Sequence, residues 1–192
     1  MTLTELYTSE FEEHAVVMAS TRDHLQAPFL QLVNHALISI RQGGKILFFG
    51  NGGSAADCQH LATELTIRFK KDRAPIAAIA LTTDTSALTA SGNDLGFDEI
   101  FARQIEALAK PQDLAIGIST SGNSENVIKG LMQAKKIGAV AAALGGRNGG
   151  RMNEVATPYL VVPSDTTARI QEMHIMIGHM FCDALERELK LV

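Results

Sequence analysis

Lys45 to Glu64 reads KILFFGNGGSAADCQHLATE, and the fold class turns on how that stretch divides. Ile46-Leu47-Phe48-Phe49 is an apolar run bounded by glycines and too short for an ordinary helix, which reads as a buried strand. Gly50-Asn51-Gly52-Gly53-Ser54 then makes a turn nearly bare of side chains, where backbone N–H groups can approach a ligand closely. Beyond it the pattern becomes helical, with Ser54 as the expected cap and Asp57 where a capping-box acid would sit. A helix N-terminus behind a glycine turn is suited to an anion. His60 and Glu64 follow one turn later, at i and i+4 on one helical face.

The same device recurs downstream. Asp113 to Ile118 is a second strand, Ser119-Thr120-Ser121-Gly122-Asn123-Ser124 is its turn, and a helix is expected from Glu125 to Ile137. Three serines and a threonine beside a helix N-terminus can surround phosphate oxygens without adding positive charge. Either turn alone would be an ordinary strand-to-helix connection. Together they point to a phosphate-bearing ligand.

Composition narrows the class. The 192 residues are 46% hydrophobic and 20% charged with a net charge of −4, as in an ordinary soluble domain. The 17 Lys and Arg residues are scattered, so no nucleic-acid surface is expected. The run Arg68-Phe69-Lys70-Lys71-Asp72-Arg73 reads as a helix end in solvent. Cys58 and Cys182 are the only cysteines and have no framework spacing, which suits a reducing cytoplasm. The acidic N-terminus has no signal-peptide character, and no window reaches the roughly 18 apolar residues of a membrane span.

Taken in order, Leu3, Leu6, Tyr7, Phe11, Met18 and Leu25 predict an amphipathic helix ending before Pro28. Phe29, Leu30, Val33, Ala36, Leu37 and Ile40 predict a second, closed by Gly43-Gly44. Two helices ahead of the first strand exceed what one sheet face needs, so the first is assigned to an oligomer interface. Further strands are expected at Ile76–Leu81, Ala139–Leu144 and Tyr159–Val162, with helices at Ser86–Ala90, Phe97–Leu108 and Ala168–Leu191. The Gly92-Asn93-Asp94 stretch is expected to break the first of these helices, and Gly145 to Gly150 reads as a loop. Near-continuous apolar strands alternating with helices specify an α/β fold, a parallel sheet covered on both faces. Its ligands belong beyond the carboxyl ends of the strands. The chain is read as one domain, 1–192, with N-terminal helices over 1–42 and an α/β core over 43–192.

The last helix carries Gln171, His174 and His179 among Met173, Ile175, Met176, Ile177, Met180 and Phe181. A helix apolar on all sides is buried, and buried histidines need partners. His60 and Glu64 form half of a workable zinc site, which Gln171 and His179 could complete. Yet on one straight helix those two lie about 12 Å apart along the axis. Either the helix begins after Gln171, or the ligands come from different subunits. The second option places the site at an interface and is preferred.

Several motifs in order then resemble a known family. They are Asn51-Gly52-Gly53-Ser54, His60-x-x-x-Glu64 with Arg68, Thr82 to Ser86, Gly92-Asn93-Asp94, Ser119 to Ser124, and Ala168-Arg169-Ile170-Gln171-Glu172-x-His174. From Gly43 onward the chain is similar to the phosphoheptose isomerases of the sugar-isomerase (SIS) superfamily. The resemblance implies a three-layer αβα fold with a five-stranded parallel, flavodoxin-like sheet and N-terminal helices in an oligomer bundle. It implies a cytoplasmic homotetramer with shared active sites and one Zn2+ per subunit. The implied reaction is aldose–ketose isomerisation of D-sedoheptulose 7-phosphate to D-glycero-D-manno-heptose 7-phosphate, for lipopolysaccharide and related surface glycans. Carried over by motif, the metal ligands are His60, Glu64, Gln171 and His179. Substrate contacts are Asn51, Gly52, Gly53, Asn93, Asp94, Ser119, Thr120, Ser121, Ser124 and Gln171. Ile67 and Phe69 stand where many members have Gly and Tyr, and Ala168 where some have an acid.

An enediol mechanism needs a base at carbon and a proton shuttle at oxygen, assigned to Glu64 and His179. Zinc acts there as a Lewis acid on the sugar oxygens. A competing class is a non-catalytic SIS module that senses phosphosugars or binds a replication initiator. The initiator-binding relative lacks the acid and the histidine that this chain keeps. A third reading is an isomerase for a hexose or pentose phosphate.

Overall fold

The computed structural model describes residues 1–192. Five parallel strands form one sheet in the order β2-β1-β3-β4-β5. They are β1 (Ile46–Gly50), β2 (Ala78–Ala80), β3 (Leu114–Ser119), β4 (Val140–Gly146) and β5 (Tyr159–Val162). The helices are α1 (Leu3–Arg41), α2 (Gly53–Thr66), α3 (Thr85–Asp94), α4 (Ile100–Leu108), α5 (Glu125–Ile137) and α6 (Thr167–Glu188). Short 3-10 turns lie at Phe97–Glu99 and Gly150–Glu154.

β1 and β3 are buried along their whole length. Alternate residues feed different layers, as a pleated strand requires. Ile46 and Phe48 join Leu61, Leu65, Ile177 and Phe181 on the side of α1, α2 and α6. Leu47 and Phe49 join Phe101, Ile105, Val127 and Leu131 on the side of α4 and α5. The expected three-layer parallel α/β architecture is present. Strand order reverses between β1 and β3, so the glycine turn after one and the serine turn after the other open side by side at the switch point.

Local differences from the sequence reading have physical causes. The two expected N-terminal helices are one helix of 39 residues with Pro28 inside. Val17, Thr21 and Leu25 before the proline, and Leu32, Val33 and Ala36 after it, bury one continuous face. That packing outweighs the roughly 3 kcal/mol that an interior proline costs a helix. The Gly92-Asn93-Asp94 stretch does not break its helix. Asp84 caps α3 through Ala87 N–H at 2.9 Å, and the helix runs to Asp94. Ser54 does not cap α2. Gly52 occupies that position at φ 55°, Ser54 is buried within the first turn, and no capping box forms. β2 is shorter than expected, as befits an edge strand.

α6 is not apolar on all sides. Met176 and Met180 are exposed at 44% and 46%, while Met173, His174 and Ile177 face the core. The basic run after α2 is not all in solvent either. Arg73 is buried against Glu186 of α6, with Nε 2.9 Å from Oε1. No helix is long and apolar enough to cross a membrane.

Candidate active site

α2 and α6 lie side by side on one face of the sheet and bring the predicted groups together in two places. Near the start of α2, Gly53 meets the Gln171 side chain so closely that a Cβ would collide with the amide nitrogen. Farther along, Gly178 lets Leu61 pack directly onto the α6 backbone. With the helices at that spacing, His60 and His179 meet, Nε2 to Nε2 at 2.9 Å. Glu64 Oε1 is 3.3 Å from His60 Nε2. His60 thus stands between the imidazole of His179 on α6 and the carboxylate of Glu64 one turn along α2.

His60 is 47% exposed and Glu64 20%, so the cluster opens to solvent on this chain. Phe69 lies against His179, ring centroids 5.5 Å apart and 23° from parallel. Asp57, one turn before His60, is half-buried. Burial raises its pKa, and the charges of His60 and His179 oppose that rise. Sequence reasoning gave Asp57 only a capping role; its place at i−3 from His60 was the signal that it faces the cluster.

The serine turn is built as an oxygen-rich cup. Ser119 Oγ lies 2.9 Å from Ser124 Oγ and 3.4 Å from Ser121 Oγ. Ser124 is the N-cap of α5, yet its side chain makes no capping bond, so no side-chain oxygen occupies the N–H groups of the first turn. Those donors and hydroxyls suit an anion. Thr120 is part-buried beside them. A reciprocal amide pair, each Nδ2 2.9 Å from the other's Oδ1, joins Asn51 to Asn126 of α5 and locks the two turns together. Gly52 is exposed at the tip of the first turn.

Asn93 and Asp94 come from a third element. They end α3, are exposed, and bond only to each other, Nδ2 to Oδ1 at 2.7 Å. Gln171 departs from the metal cluster. α6 begins at Thr167, so Gln171 is already helical and the late-start option is removed. It faces the glycine turn, about 12 Å along the helix from His179. Within one chain Gln171 and His179 therefore do not converge on one ion. No group of three or more His, Cys, Asp or Glu side chains is set to enclose a metal.

His174, the third candidate on α6, is a core residue. Its Nε2 lies 2.9 Å from the Gly145 carbonyl, and burial pushes its pKa down to about 4. An apolar groove lies elsewhere, between α1 and α6, lined by Met18, Leu25, Phe29, Met173, Ile177 and Met180 among others. It lacks the converging polar groups of a sugar site.

A profile of the SIS domain matches residues 11–146. The chain is 57% identical over 177 residues to a phosphoheptose isomerase of Paramagnetospirillum magneticum, covering 92% of each chain. It superposes on the phosphoheptose isomerase of Neisseria gonorrhoeae with a TM-score of 0.91 at 43% identity, covering 97% of this chain and all of the other. For a phosphoheptose isomerase from Francisella tularensis the TM-score is 0.94 at 36% identity, with the same coverage.

Proposed function

The chain belongs to the phosphoheptose isomerase family of SIS-domain proteins, and from that premise we propose that it converts D-sedoheptulose 7-phosphate to D-glycero-D-manno-heptose 7-phosphate. One observation carries the reading: the His60–Glu64–His179 contacts lie on the helix that leaves the glycine turn, and that turn opens with the serine turn at the switch point of the sheet. The serine turn holds the phosphate, and that remote binding positions the reactive end of the sugar.

Glu64 takes a proton from C1 of the ketose. The C–H electron pair becomes the C1–C2 double bond of an enediolate, and the former carbonyl oxygen takes the charge. His179 passes a proton between O1 and O2, and Glu64 returns its proton to C2. The bond broken is C1–H, the bond formed is C2–H, and no external redox partner is needed.

The donors of His60, Glu64 and His179 are of the kind that hold zinc, two imidazole nitrogens and a carboxylate. The donor set fits such an ion by its chemistry, and because these three do not enclose a site on one chain, Gln171 of a second copy is taken as a further donor. Bound zinc supplies Lewis acidity at the sugar oxygens. The open cluster on one chain, and the exposed apolar side chains of α1, support a homotetramer with sites at subunit interfaces. The cytoplasm is the compartment where such a phosphosugar is made, and heptose for surface glycans is the product's use.

A panel of ketose phosphates, followed by NMR for appearance of the aldose, tests the assignment. Turnover is expected on the seven-carbon 7-phosphate. Turnover on hexose or pentose phosphates alone, or on none, would overturn it; the last result would favour a phosphosugar-binding regulator.

A further inference from the structure

We propose that Arg73 and Glu186 are positioning residues for the isomerisation, forming a buried clamp that holds the turn bearing Glu64 in register with the α6 face bearing His179. This rests on the roles assigned above to Glu64 and His179.

The last carbonyls of a helix have no partner within it. In α2 one of these belongs to Glu64 itself. Arg73 Nη2 donates to the Glu64 carbonyl at 2.7 Å, and Nη1 donates to the Leu65 carbonyl at 2.7 Å and to Ala74 at 3.1 Å. Its remaining edge donates from Nε to Glu186 Oε1 at 2.9 Å. The same carboxylate oxygen accepts from Phe69 N–H at 3.1 Å. Both side chains are out of solvent, at 1% and 0% exposure.

Residues 69–73 therefore grip one face of α6 at three successive turns. Phe69 stacks on His179, Lys70 Nζ pairs with Asp183 at 3.0 Å, and Arg73 pairs with Glu186. Those α6 positions are i, i+4 and i+7, a single helical stripe.

The charge contact by itself is not what the pair contributes. Apolar replacement of a buried ion pair is often neutral or stabilising. A guanidinium adds direction: its donors lie in one rigid plane, so two carbonyls of α2 and a carboxylate of α6 are fixed relative to each other. A lysine would carry the charge without that fork.

The test uses the full-length protein with Arg73→Met/Glu186→Leu and, separately, Arg73→Lys. Thermal melting, kcat and KM for sedoheptulose 7-phosphate, and 15N NMR of the imidazoles in metal-free protein are measured. The double variant is expected to melt lower than the parent, because the Glu64 carbonyl and the Phe69 N–H lose their partners, and at a temperature where it is folded to lose kcat roughly 10- to 100-fold. Its KM stays within about twofold because the serine turn that holds the phosphate is untouched, and the His60 and His179 ring resonances shift. Arg73→Lys is expected to move kcat and the ring resonances the same way by less, and it serves if the double variant does not fold. A folded variant with the parent's kcat and ring resonances overturns the clamp. So does a loss of kcat that only follows a loss of melting temperature, with ring resonances unchanged. If the parent itself does not isomerise the sugar, the functional reading fails, while the ring resonances still report on the clamp.

Discussion

His174 is wholly buried on α6, bonded through Nε2 to the Gly145 carbonyl and with Nδ1 unpartnered. Its folded pKa of about 4 lies below the value near 6.5 of an unfolded histidine, because burial disfavours the cation. The unfolded chain thus binds the proton first as pH falls. Stability from this group is complete above about pH 6.5 and is lost as pH drops towards 4. Between pH 7 and pH 5 the loss is roughly 2 kcal/mol. Denaturant unfolding of the parent and of His174→Gln at both pH values is expected to show that much less pH dependence in the variant; equal slopes would contradict it. At the serine turn, the double variant Ser119→Ala/Ser124→Ala is expected to raise KM roughly 10- to 100-fold with kcat little changed. An unchanged KM would take the phosphate away from that turn. Single residues were legible where chemistry is local, as with His60 and Glu64 on one helical face. Arg73 was not, because nothing near it in sequence shows that Glu186, on the last helix, waits for it. Asp57 looked like a capping acid because the position of the helix start is set by Gly52, which only the backbone reveals.

At the scale of elements, the strands announced themselves as short apolar runs between turns, and all five lie where the runs lie. Their ends were less legible, since pairing partners decide where a ladder stops; β4 extends to Gly146 because Gly145 and Gly146 still pair with β5. α1 was misread at Pro28, where a local rule gave way to a long shared apolar face. The proline therefore remains a cost inside an otherwise regular helix. Pro28→Ala is expected to stabilise the protein by up to about 3 kcal/mol in denaturant unfolding, with the fold unchanged. A neutral or destabilising result would mean that the ring itself makes packing contacts that outweigh the restored bond. The spacing argument on α6 was legible in full: a helix that starts at Thr167 carries Gln171 and His179 too far apart for one ion.

The whole molecule is a scaffold that delivers two turns and two helices to one corner of a parallel sheet. The first turns of α1 carry Leu3, Tyr7 and Phe11 exposed, a face with nothing in this chain to cover it. Light scattering of the purified protein is expected to give four times the chain mass; a monomer would remove the shared-site reading of Gln171. The sequence showed that surplus helix but could not show what it covers, because an interface leaves no pattern distinct from a core. What the sequence did place are two strand-to-helix turns, which the fold sets side by side, and a histidine–glutamate pair on one helical face. The most direct test of the isomerase reading is Glu64→Gln, assayed for conversion of sedoheptulose 7-phosphate by NMR. The folded variant is expected to turn over at least about 100-fold more slowly than the parent. Near-parental turnover would contradict the assignment of Glu64 as the base and, with it, the chemistry placed at this corner of the sheet.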